Sequence, residues 1–295
     1  MTPLSKALDQ GFKYLLLALV LITLIVTVSV IVLLTKESSG FFSQVPLGEF
    51  LFGKEWTPLL EPKSFGVLPL VNGTFMIVFG AIGMALPAGL FVATYLNEYA
   101  TDRTRSYIKP ALEVLAGIPT VVYGFFALTF VTPILKTMFP EIQIFNAASG
   151  AIVVAIMVLP MIASLVDDGF RSVPRALREG AYGLGANSVE VITQVVIPAA
   201  GTRITAAVVL AISRAIGETM AVTLAAGATP KITANPLESI QTMTAYIVQV
   251  TSGDVQAGGI EYQTVYVVGA LLFVITFMMN VIGNIVLSKP VMEAR

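Results

Sequence analysis

The amino-acid sequence predicts an all-α protein that crosses a membrane several times. Hydrophobic residues make up 56% of the 295-residue chain and charged residues only 12%, about half the charged share of a soluble domain. The mean hydropathy is +0.86. Six apolar stretches, 14–35, 71–96, 111–135, 147–166, 204–229 and 264–287, are long enough to cross a hydrocarbon core of about 30 Å, which takes about 20 residues of helix. In lipid the backbone must satisfy its own hydrogen bonds, so these stretches are predicted as helices and not open strands.

The first stretch exceeds the apolar region of a signal peptide, about 7–15 residues, and the LLTKESSG after it lacks an A-x-A-like cleavage site. It is expected to remain as a span. In the loop 36–70, Pro46, Pro58 and Pro62 argue against one continuous helix. The GEFLFGKE in that loop imitates a phosphate-binding G-x-x-x-x-G-K-[ST]. However, Glu55 stands where a hydroxyl would meet Mg²⁺, and no strand–loop–helix surrounds it. No ATP site is expected there, so ATP-driven work would need an ATPase on another chain.

Ala81, Ala85, Gly89 and Ala93 lie four apart on the second stretch, as do Ala207, Ala211 and Ala215 on the fifth. Such small-residue stripes predict close helix packing. Within the third stretch, GIPTVVYG puts Pro119 where it kinks a helix. Tyr123 is assigned to core packing, a place on a path staying open. Glu113, just after Lys109-Pro110, is expected in the first turn of its helix, where the dipole favours an acid.

The loops divide unequally in charge. Segments 1–13, 97–110, 167–203 and 288–295 hold eleven Lys/Arg in 72 residues, against five in the 80 residues of 36–70, 136–146 and 230–263. The positive-inside rule puts the first set, and both termini, in the cytoplasm. Cysteine and histidine are absent. Disulfides, thiol nucleophiles, histidine acid–base chemistry and Cys/His metal sites are excluded, leaving only a carboxylate metal site open in principle. A net charge of -1 gives no reason to expect nucleic acid. Without repeats or low-complexity segments, residues 1–295 are predicted as one transmembrane domain.

The segment 172–198 has the grammar of an elbow. Pro174 suits a first helical turn, with Ser172 before it as a candidate cap. The helix 174–182 would end at Gly183 or Gly185, either able to turn left-handed. Asn187 and Glu190 form a capping-box pattern opening a second helix, and Pro198 interrupts before the next span.

Glu179-Gly180-Ala181, three residues, Gly185, nine residues, then Val195-Val196-Ile197-Pro198 resembles the EAA-x3-G-x9-I-x-L-P signature of permease subunits of binding-protein-dependent ABC importers. The resemblance implies a type I importer permease fold, with this elbow docked as a coupling helix on a cytoplasmic ATPase. Departures are Gly180 for Ala, which softens the elbow, Val195 for Ile and Ile197 for Leu.

SRAIGETM, within the fifth stretch, places Arg214 and Glu218 four residues apart, hence on one predicted helical face. A charge at that depth costs about 2.5–3.5 kcal/mol or more and defaults to a functional hypothesis. The forked guanidinium suits an oxyanion, and Glu218 is expected to hold Arg214 while the site is empty. Arg before Glu is the poorer order for a merely stabilising pair.

RAIGETMAV and GIPTVVYGFFAL are similar to the permeases of phosphate-specific importers, GETMAV more to the C-type than to its paralogue. This implies a phosphate importer in the inner membrane with a paralogous permease, two ATPase subunits that use ATP and Mg²⁺, and an external phosphate-binding protein. On that resemblance this chain binds no cofactor and catalyses no covalent step. A permease for sulfate or molybdate, or an ATPase-independent transporter, is the alternative.

Overall fold

The computed structural model describes residues 3–253 and 258–287, with side chains from 10 to 285. Lys289 and Arg295, counted in the charge division, lie outside them. Among the described residues there is no β-strand, only an isolated bridge between Trp56 and Phe65.

Helix α1 (Pro3–Phe42) runs past both ends of its predicted span. Its residues from Phe12 to Leu33 are apolar almost throughout and exposed, as on a helix whose surroundings are lipid. The loop after it folds into α2 (Leu47–Phe52), which takes the first five residues of the false phosphate motif into a helix capped by Gly53. Helix α3 (Leu68–Thr94) continues into a π-helical turn, Tyr95–Tyr99.

The third predicted span is corrected. Thr101 caps α4 (Asp102–Gly117), accepting from the Thr104 N–H at 3.2 Å, so the helix begins eight residues before Pro110 and carries that proline inside. Glu113 therefore sits far along the helix and not in its first turn. The chain then breaks at Ile118–Pro119, both extended, because a proline disfavours helix in the residue before it. Beyond the break come α5 (Thr120–Phe126), a π-helical turn and α6 (Thr132–Met138).

Asn146 caps α7 (Ala147–Arg171), its Oδ1 accepting from the Ser149 N–H at 2.7 Å. After α8 (Arg175–Gly183) and α9 (Ser188–Glu190), a π-helical stretch, Val191–Val196, leads into the single turn α10 (Ile197–Ala199). Next is α11 (Gly201–Ile216), bent by 69° from the preceding segment. The fifth predicted span is also corrected: α11 stops at Ile216, and α12 (Met220–Ala226) begins after a break. Helices α13 (Met243–Ser252) and α14 (Ile260–Leu287) complete the described chain. Among the described residues, five helices are long and apolar enough to cross a membrane, six if the bent pair counts as one span.

The main axis of the core is α3 against α7. Ala81, Ala85, Gly89 and Ala93 are buried as the stripe predicts, and a methyl on Gly89 would come within 2.6 Å of Ile162 Cγ2. Ala207, Ala211 and Ala215 bury α11 against the same core. Close backbone approach of this kind replaces the hydrophobic drive that lipid removes.

One end of the bundle is aromatic. Phe41, Phe50, Phe65, Trp56 and Tyr246 meet edge-to-face, with Trp56 and Tyr246 centroids 5.0 Å apart. Residues 227–242 strap this end irregularly across the start of α7. The Ala147 and Ala148 N–H groups, orphans of the first helical turn, donate to the Glu238 and Pro236 carbonyls at 3.0 and 2.8 Å. Lys231, helped by Thr233, holds the Glu238 carboxyl below the usual glutamate range.

Candidate functional site

The two short motifs that looked alike in kind, GIPTVVYG and SRAIGETM, are both helix breaks, and the fold brings them together. At the first, the buried Tyr123 Oη donates to the Leu115 carbonyl at 2.6 Å, joining a longer bond from the Ile118 N–H at 3.4 Å where α4 ends. Tyr123 is thus a core pin. At the second, the chain leaves the helix at Gly217, the residue least costly to unwind. Helices α5 and α12 then pack through Gly124: a Cβ there would lie 2.8 Å from Leu224 Cβ and 3.2 Å from Ala221 Cα.

This break overturns the expected Arg214–Glu218 pair. The two residues do not share a helix, and no ion pair joins them among the described residues. Glu218 is buried, its Oε1 accepting from the Ala221 N–H at 3.1 Å and its carbonyl accepting from Thr244 Oγ1 at 2.7 Å. It closes an open donor at the start of α12. Arg214 is exposed and without a hydrogen-bond or ion-pair partner among the described residues. It stands about 20 Å along α11 from Gly201.

The elbow is close to its predicted geometry. Gly185, not Gly183, takes the left-handed turn, at φ +87°. The Ala186 N–H donates to the Ala181 carbonyl at 3.1 Å and the Gly185 N–H to Tyr182 at 2.9 Å, the pair of bonds that stops a helix sharply. Asn187 and Glu190 complete the capping box in both directions, at 3.0 and 2.8 Å. One expectation fails: Ser172 does not cap α8 but closes α7, donating to the Gly169 carbonyl at 2.7 Å.

No residue of α8 is buried. Glu179 and Gly180 are exposed, Ala181 half-buried, and Leu184 is 92% exposed, with Leu177, Tyr182 and Val189 also open. Ile197 and Pro198 stand at the bend between the elbow and α11.

What ties this lever to the bundle was not foreseen. Arg178 reaches from α8 to the Glu98 carboxylate, to Asn97 Oδ1 at 3.1 Å and to the Phe170 carbonyl at 2.8 Å. Below it, Asp167 is completely buried, its Oδ2 meeting Arg105, Lys109 at 3.2 Å and Arg171 at 3.8 Å. The available signal was an acid closing a long apolar run, with three basic residues spaced along 103–109.

The architecture is thus a helical membrane bundle with a projecting, glycine-turned lever and a broken-helix junction. Residues 85–289 match the family model described as binding-protein-dependent transport system inner membrane component. The chain belongs to that family and is an inner-membrane permease subunit.

Among relatives, the probable ABC transporter permease protein YqgH of Bacillus subtilis is 33% identical, covering 88% of this chain and 84% of its own. The phosphate transport system permease proteins PstC of Mesorhizobium japonicum and Haemophilus influenzae are 34% and 30% identical, over 81% and 97% of this chain and 78% and 91% of theirs. In fold it resembles a bacterial alginate ABC transporter solved with a pentasaccharide-bound periplasmic protein, at TM-score 0.64 and 16% identity, over 95% of this chain and 96% of that one. The inward-facing MetNI methionine transporter gives TM-score 0.56 at 15% identity, over 75% and 93%. A permease of this family works with a separate ATPase and an external binding protein.

Proposed function

We propose that the chain is half of the translocation path of an ATP-driven phosphate importer. It pairs with a paralogous permease, two ATPase subunits that use ATP and Mg²⁺, and an external phosphate-binding protein. The elbow end and both termini face the cytoplasm, consistent with the Lys/Arg excess on that side. The open side chains of Leu177, Tyr182 and Leu184 supply the elbow's contact with the ATPase. Phosphate is favoured over sulfate or molybdate by the phosphate permeases among the relatives.

The observation that carries the reading is Arg214. An exposed guanidinium at hydrocarbon depth faces either water or protein, since lipid rejects it. Its fixed charge and planar fork suit a passing oxyanion. Because Glu218 is engaged by the Ala221 N–H and makes no ion pair with Arg214, Arg214 meets the anion without a paired carboxylate.

The test is labelled-phosphate uptake by the complete complex in vesicles, with sulfate as competitor, comparing wild type with Arg214→Gln. Loss of a charged hydrogen bond to the anion lowers uptake about tenfold or more, with assembly and ATP binding intact. Normal uptake by the assembled variant removes Arg214 from the path, and sulfate competition as strong as phosphate's removes the substrate assignment.

A further inference from the structure

Two cavities lie between the elbow and the bundle, one walled by Arg175 of α8 and the other reaching Leu210, one turn before Arg214 on α11. The first, about 530 Å³, is polar and lined by Arg105, Arg171, Arg175 and Arg178, with Asp102 as the acid on its wall. The second, about 440 Å³, is apolar, and Leu112, Ala116, Pro160, Met161, Leu165 and Leu210 line it, with Lys109 and Glu113 also on its wall. Leu96 is a wall of both, and Asp167 is bonded by a residue of each, Arg105 and Lys109.

The four arginines are not equally occupied. Arg105 and Arg178 are bound to Asp167 and Glu98. Arg171 touches Asp167 only through Nε, at 3.8 Å, and is half exposed. Arg175 is exposed and makes no hydrogen bond or ion pair among the described residues. Two guanidinium forks thus face one polar cavity with donors to spare, the geometry that binds phosphate oxygens.

Depth identifies the ligand. Along α7 the apolar cavity's residues Leu165 and Pro160 precede Arg171 by six and eleven positions, placing them about 9 to 16 Å deeper in the membrane. A free anion has no use for that groove. A phosphate carrying an acyl chain suits the pair, its head in the polar cavity and its chain passing Leu96 into the apolar one, in the manner of basic pockets between membrane helices.

We infer that this paired site binds an anionic phospholipid, its phosphate on Arg171 and Arg175 and a chain along Leu112, Ala116 and Leu165. The bound headgroup ties the start of α8 to the end of α7, beside the start of α4, at the joint between the elbow and the bundle. The inference rests on the chain's placement in a membrane and not on which anion is transported, so it stands or falls apart from the uptake experiment.

The test titrates short-chain phosphatidylglycerol, short-chain phosphatidylcholine and inorganic phosphate, each by calorimetry, onto the complete complex in an uncharged detergent. Arg171→Gln, Arg175→Gln and Ala116→Phe are compared with wild type; all three positions are exposed, and assembly with the ATPase is checked first. Phosphatidylglycerol is expected to bind more tightly than phosphatidylcholine. Each arginine removed should weaken it about fivefold, and Ala116→Phe should weaken it by blocking the groove. Equal binding of both lipids, or binding indifferent to the arginines, overturns the inference. Arginine-dependent binding of inorganic phosphate as tight as the lipid's, untouched by Ala116→Phe, overturns the lipid and leaves a free-anion site.

Discussion

At the end carrying Trp56, helices α1, α2 and α13 are joined by aromatic rings packed edge-to-face. At the end carrying the elbow, guanidinium groups join α4 to α7 through Asp167 and α8 to the π-helical turn after α3 through Glu98. Apolar contact depends on area and shape, so one side chain can replace another of similar volume. A buried ionic joint depends on charge, and losing one partner leaves the other stranded. The aromatic end is thus fixed by bulk, while the elbow hangs from a few specific bonds that hold one register.

Substitutions that conserve shape test this contrast most directly. Asp167→Asn keeps the volume and removes the charge that three cations share. It should destabilise the complex by about 3–5 kcal/mol, read as thermal unfolding in detergent, and loosen the elbow first in hydrogen exchange. Leu70→Met, equally buried but in the aromatic cluster, should cost less than about 1.5 kcal/mol. Similar losses at both positions would mean the two ends are held alike.

The same contrast explains what the sequence revealed. The elbow was readable because its instructions are local: Gly185 for the turn, and Asn187 and Glu190 for the cap. The small-residue stripes were readable because their period is that of the helix. Asp167 was not, since Arg105 lies 62 positions away and no spacing links them. Pro119 marked the discontinuity at Ile118–Pro119, whereas the break at Gly217–Thr219 was hidden inside an apolar run, because hydropathy registers side chains and not backbone continuity. Glu218 misled for the same reason: four residues from Arg214 means one face only while the helix lasts.

The smallest expected effect lies on the lever itself. Gly180 is inside α8, exposed, and a methyl placed there meets nothing within 4 Å. Gly180→Ala should therefore stabilise the elbow helix by about 0.5–1 kcal/mol, because alanine loses less backbone freedom on becoming helical. Slower hydrogen exchange across 175–183 would show it. If the elbow acts as a rigid arm, phosphate uptake per ATP hydrolysed should hold or rise in this variant. A stiffer helix with poorer uptake would mean that bending at Gly180 is part of the stroke. The weak point of the arm would then lie within α8 and not at the ionic joint beneath it.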